Sequence, residues 1–180
     1  MTPNDQGAAA LPASIHPALA RALEKKGYSS LTPVQLEMAN GGHSSADLLV
    51  SAQTGSGKTV AFGIAIAHTL MGGADRFEPA GPPLGLVIAP TRELAVQVKR
   101  ELDWLFAEAG VVTATCVGGM DMRQERRALE RGAHLVVGTP GRLRDHITKG
   151  ALDLGALRAV VLDEADEMLD LGFVTTSNSS

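Results

Sequence analysis

At 180 residues, 44% apolar and 20% charged, the chain has globular composition and is long enough to bury one core. Its formal net charge of −4 argues against bulk electrostatic attraction to nucleic acid, so any such site must be local. A single cysteine, Cys116, excludes an internal disulfide framework and reads as a small buried hydrophobe.

Residues 1–14, "MTPNDQGAAALPAS", lack the basic start and apolar stretch of a secretory signal and are expected to form a flexible segment. No apolar run is long enough for a membrane span, which with the lone thiol suggests a cytoplasmic protein without membrane contact. Ile15, Leu19 and Leu23 stand four apart, a short amphipathic helix that Gly27 is placed to end. Apolar runs then alternate with helical patterns: "DLLVSA" (47–52), "LGLVIAP" (84–90), "VVTATCVGG" (111–119), "HLVVGTP" (134–140) and "LRAVVLD" (157–163). They are apolar nearly throughout, as strands covered on both faces should be. The strongest helix runs from Arg92 to about Ala109, with Leu94, Val98, Leu102, Leu105 and Phe106 on one face and Glu101 and Asp103 turned away. Between two elements, "MGGADRFEPAGPP" (71–83) is a Gly/Pro loop. This alternation predicts an α/β fold: a parallel sheet with helices on both faces, binding ligands at the carboxyl ends of its strands.

Two segments carry chemistry. "LLVSAQTGSGKTVAFGIAIAHTL" reads as strand, Gly-rich turn and helix, and Ala52, Gln53, Thr54, Gly55, Ser56, Gly57, Lys58 and Thr59 follow the Walker A pattern, with Ala52 in place of its opening glycine. Glycines let successive N–H groups face phosphate oxygens, and the following helix offers its positive end. Lys58 supplies a charge for the β- and γ-phosphates, and Thr59 a hydroxyl for Mg²⁺. The second segment is the strand ending in Asp163-Glu164, 104 residues beyond Thr59. There Asp163 suits Mg²⁺ held through water, and Glu164 suits polarising the water that attacks the γ-phosphate. Lys58, Asp163 and Glu164 are thus the catalytic candidates.

The remaining motifs narrow this P-loop ATPase to a family. "GYSSLTPVQ" (27–35), "AQTGSGKT" (52–59), "PTRELA" (90–95), "GG" (118–119) with "QERR" (124–127), "TPGR" (139–142) and "DEAD" (163–166) occur in the order that marks the DEAD-box RNA helicases. The chain resembles their N-terminal ATP-binding half, a RecA-like domain. The resemblance implies that Gln35 reads the edge of adenine, with Tyr28 beside it. It also implies that Thr91, Arg92, Gly119, Thr139, Gly141 and Arg142 grip the sugar-phosphate backbone of single-stranded or duplex RNA, independent of sequence. Asp166 is assigned to interdomain coupling, and ATP and Mg²⁺ are the implied cofactors. Contacts of this kind read RNA shape and the 2′-OH, which reconciles RNA binding with the acidic net charge.

Two departures set further expectations. The family's isolated aromatic, seventeen residues before the Gln35 motif, would fall on Ala10. Losing its stacking removes roughly 1–3 kcal/mol, so nucleotide binding should be weaker and less selective for adenine, with Tyr28 the candidate substitute. Beyond Asp166 no Ser-Ala-Thr follows; Thr113-Ala114-Thr115 precedes the acidic pair and belongs to a strand. The expected organisation is a flexible segment (1–14), a partial RecA-like domain incomplete at its C-terminal end (15–173) and a tail unlike the family (174–180). The second RecA-like domain, with its arginine finger, is expected as a missing partner. By the resemblance, a strand should lie between the phosphate-loop strand and the Asp163 strand. Its loss would leave a mid-sheet gap and marginal stability. These residues alone are expected to bind MgATP or MgADP weakly without unwinding. The alternatives are a non-catalytic RNA- or partner-binding short form, and a P-loop helicase acting on DNA.

Overall fold

The computed structural model describes residues 11–40, 48–52, 57–119 and 121–163. Helix α1 (Pro17–Lys25) starts behind His16, whose Nδ1 accepts the Ala18 N–H while its Nε2 donates to the Ala74 carbonyl. It ends at Gly27 as its spacing predicts, through paired bonds from Tyr28 N–H to Leu23 and from Gly27 N–H to Glu24. Helix α2 (Pro33–Asn40) follows and packs on α3 (Lys58–Met71).

All five apolar runs form strands: β1 (Leu48–Ala52), β2 (Gly85–Ile88), β3 (Thr113–Cys116), β4 (Leu135–Gly138) and β5 (Ala159–Asp163). They make one parallel sheet in the order β1-β5-β2-β4-β3. Alternate residues serve opposite cores, because successive side chains on a strand point to opposite faces. Val87, Leu135, Val137 and Val161 join the cluster under α1, α3 and α4 (Arg92–Leu105). Leu86, Ile88 and Val136 join a smaller one containing Leu129 of α5 (Met122–Arg131) and Leu143 of α6 (Pro140–Thr148).

Helix α4 stops at Leu105, and a 3-10 turn carries the chain through Ala107–Ala109. Its buried residues are Ala95, Val98, Leu102 and Leu105, with Phe106 beneath the turn. Asp103 points off that face but is not idle. It accepts the Thr113 hydroxyl and the Lys99 ammonium, tying α4 to the start of β3. The loop after α3 is pinned by His134, which accepts the Val112 N–H, donates to the Glu78 carbonyl at 2.6 Å and stacks on Phe77.

The mid-sheet gap is corrected by the structure. β1 pairs directly with β5 through five residue pairs, from Leu48 opposite Ala159 to Ala52 opposite Asp163. Neighbouring parallel strands satisfy each other's N–H and C=O groups, so no row of unpaired backbone is left between them. The expectation of marginal stability that rested on such a row loses its basis.

Candidate nucleotide and nucleic-acid site

The register of β1 and β5 brings the two chemical segments together. Ala52, where the phosphate-loop strand ends, lies opposite Asp163, so the two strand ends are one interstrand spacing apart, about 4.8 Å. Asp163 is 1% exposed, and α3 packs against both strands. The cap of α3 is Gly57 at φ 90°, a left-handed conformation that a side chain would strain. A Cβ there would also sit 2.9 Å from Gln35 Nε2, so glycine is needed twice. Lys58 is half-buried and Thr59 buried, both in the first turn, where a helix presents unpaired N–H groups and the positive end of its dipole. Gln53, Thr54, Gly55, Ser56, Glu164 and Asp166 lie outside the described residues, as does Ala10.

Gln35 is 1% exposed and already employed. Its Oε1 accepts the Thr32 N–H at 3.0 Å while Thr32 Oγ1 accepts the Gln35 N–H at 3.3 Å, the reciprocal pair of a capping box. Its Nε2 donates to the Gly57 carbonyl at 3.1 Å, joining α2 to the phosphate loop. A carboxamide has two donor hydrogens and two acceptor lone pairs, so one of each is left for a base edge. Tyr28, the candidate stacking partner, lies against Trp104, with ring centroids 5.9 Å apart. Lys26 sits over the same indole at 5.2 Å. Burial, and secondarily the Glu101 carboxylate, raise the Tyr28 phenol above its ordinary range.

The expected RNA residues line the carboxyl ends of β2, β4 and β3, which are neighbours in the sheet. Thr91 caps α4 by accepting the Leu94 N–H at 3.2 Å. Arg92 follows it, and a Cβ on Gly119 would lie 2.5 Å from its Nη1, so the guanidinium packs over that glycine. Gly119, at φ 86°, is in the left-handed region. Thr139 caps α6 with its backbone only; its own N–H goes to the Cys116 carbonyl at 3.0 Å. Gly141 is exposed with open space where a side chain would be. Arg142 differs from the others. Its side chain is 16% exposed and its Nε lies 3.6 Å from Glu125 Oε1.

Sequence reasoning missed the partners of Arg142. Glu125 and His146 are 3% and 1% exposed and bonded to each other at 2.8 Å. One signal was available. Glu125 stands four residues before Leu129, the other buried residue of α5, so it shares the inward face of an otherwise charged helix. Cys116 is fully buried as expected, and burial, reinforced by the Glu125 carboxylate, pushes its thiol up to about 12.

The DEAD/DEAH box helicase family model matches residues 32–179. The DEAD-box ATP-dependent RNA helicase CshA of Bacillus licheniformis is 41% identical over 157 residues, covering 87% of this chain and 31% of that protein. The ATP-dependent RNA helicase RhlB of Haemophilus influenzae is 40% identical over 171 residues, 95% of this chain and 41% of its own length. The ATP-dependent rRNA helicase RRP3 of Scheffersomyces stipitis is 44% identical over 159 residues, 87% of this chain and 31% of its own length. The chain thus spans about a third to two-fifths of these relatives. With its motifs in family order along the sequence, and with this breadth of similarity, the chain belongs to the DEAD/DEAH box helicase family.

Proposed function

We propose that these residues form the ATP-binding half of an ATP-dependent RNA helicase and carry part of its RNA grip. The observation that carries this reading is the Ala52–Asp163 register at the carboxyl edge of the sheet. It sets the acidic strand beside the start of the phosphate loop, while α4, the Gly118–Gly119 turn and α6 begin along the same edge. Residues Gln53 to Thr59 would hold the ATP phosphates, with Lys58 supplying a positive charge for the β- and γ-oxygens. The hydroxyl of Thr59 and the carboxylate of Asp163 are the hard oxygen donors Mg²⁺ selects. They would hold it, Asp163 through water, where it neutralises phosphate charge. Glu164 orients the attacking water, and Gln35 offers adenine its spare donor and acceptor. Asp166 serves coupling to a second RecA-like domain.

Single-stranded or duplex RNA is bound without regard to sequence by Thr91, Arg92, Gly119, Thr139, Gly141 and Arg142, at helix starts and an exposed glycine turn suited to phosphate oxygens. By themselves these residues bind MgATP or MgADP weakly and carry part of an RNA surface. A cytoplasmic setting belongs to the same proposal.

The test is a titration with a fluorescent ADP analogue, with and without Mg²⁺, beside Lys58→Ala. Saturable, Mg²⁺-dependent binding that the substitution removes is the expected result; identical curves for both proteins would sink the nucleotide assignment. RNA and DNA of one sequence, compared at fixed salt, test the second half. Equal affinity would favour the DNA-acting alternative.

A further inference from the structure

One buried carboxylate touches the segments of the proposed RNA edge from behind. Glu125 Oε2 accepts the Val117 N–H at 2.8 Å, immediately before the Gly118–Gly119 turn. Its Oε1 takes His146 Nε2 at 2.8 Å and faces Arg142 Nε at 3.6 Å, two α6 residues one turn apart. On the far side of the turn the Arg92 guanidinium packs over Gly119. Through one side chain α5 therefore holds the turn after β3 and the first turns of α6 in a fixed relation.

Two plainer roles fit less well. Cys116, Glu125 and His146 offer ligand atoms within 4.8 Å of one another, a spacing that would suit a metal ion. However, the Arg142 cation stands against the same carboxylate, and burial keeps the thiol protonated, whereas a metal needs thiolate. Stability alone is also a weak account, since a buried ion pair is on average no better than apolar packing. What the cluster supplies that apolar packing cannot is a direction for each bonded group.

We infer that Glu125 is a positioning residue for RNA binding, aligning the Gly118–Gly119 turn with the start of α6 so that both present their donors to one stretch of phosphates. His146 is the donor that fixes the carboxylate's orientation. The inference rests on the RNA reading above. Glu125 acts through Val117 and Arg142, from the protein interior.

The experiment compares the unaltered chain with Glu125→Gln, His146→Gln and His146→Leu. It reads affinity for a short single-stranded oligouridine, affinity for the fluorescent ADP analogue with Mg²⁺, and amide hydrogen exchange at Val117 and Gly119. Glu125→Gln should weaken RNA binding about tenfold, the loss of one interaction of ~1.4 kcal/mol, and speed exchange at Val117, with nucleotide affinity unchanged. His146→Gln, whose amide can still donate to Glu125, should keep most of the RNA affinity that His146→Leu loses. If the unaltered chain binds RNA and Glu125→Gln binds it equally well, the inference is overturned and the RNA reading stands. If Glu125→Gln does not fold, the His146 pair decides, and equal RNA affinity for its two members overturns the inference. An unaltered chain that binds nucleotide but no RNA removes the RNA reading and the inference with it.

Discussion

The two faces of the sheet are covered by different kinds of interaction. Under α1, α3 and α4 the contact is mainly apolar, and Phe62, Ile66, Leu70, Leu102, Leu105 and Phe106 are all at most 1% exposed. Under α5 and α6 a smaller apolar cluster shares the interior with Glu125, His146 and a largely buried Arg142. Apolar burial is strong but has no direction, whereas hydrogen bonds and close ion pairs fix angles as well as distances. The first face is therefore suited to holding the domain together. The second is suited to holding loops in one relation where β4 and β3 end.

The comparison can be broken by mutation. Phe62→Ala empties a fully buried site on the first face and should destabilise by about 3–5 kcal/mol in denaturant unfolding. Leu129→Ala, at the margin of the smaller cluster, should lose nearer about 2 kcal/mol. Equal losses would erase the distinction. Lys58→Ala, at the start of a helix on the apolar face, should leave unfolding almost unchanged while removing a charge-assisted phosphate bond of about 1.5–3 kcal/mol. Its nucleotide titration should shift at least about tenfold.

Gly119→Ala sharpens the other side. Its φ of 86° carries a penalty of roughly 1–2 kcal/mol for a residue with a Cβ. That Cβ also meets the Arg92 guanidinium, so RNA affinity should fall with MgADP affinity unchanged. Loss of both together would mean that the two halves of the edge are not separable. The smallest effect near neutral pH concerns Cys116. Its thiol, raised to about 12 in the folded chain, binds its proton more tightly there than when unfolded. The resulting stability is therefore fully present below the unfolded value of about 9 and is lost as pH climbs from there toward 12. Thiol alkylation at pH 8 should be slow in the native chain and fast in urea; rapid native reaction would show that this face is open.

Much of this architecture could be read directly from residue order. The five strands stood out because a strand buried on both faces is an uninterrupted apolar run, and each run became a strand. Helix α4 was legible from its period, with the 3-10 turn at its end the only adjustment. The phosphate loop and acidic pair were legible because phosphate chemistry restricts residue types at fixed spacing. Most residues of that loop, and Glu164, lie outside the described structure.

What only the tertiary structure decided are relations between segments distant in the chain. The direct pairing of β1 with β5 could not be read from either strand, because any parallel edge can satisfy any other and the outcome depends on which edges meet. Gln35 looked like a base-reading residue, yet folding also set it to cap α2 and brace Gly57. Tyr28 looked free to stack on a ligand, and the approach of α4 gave its ring to Trp104. Arg142 was expected as one of the RNA-gripping residues, and α5 also put Glu125 beneath it. Sequence by itself determined which residues form the elements and which chemistry they carry, since periodicity and motif spacing are local. The partners of polar side chains were settled only by packing, because a buried charge takes whatever complementary group the fold brings within reach.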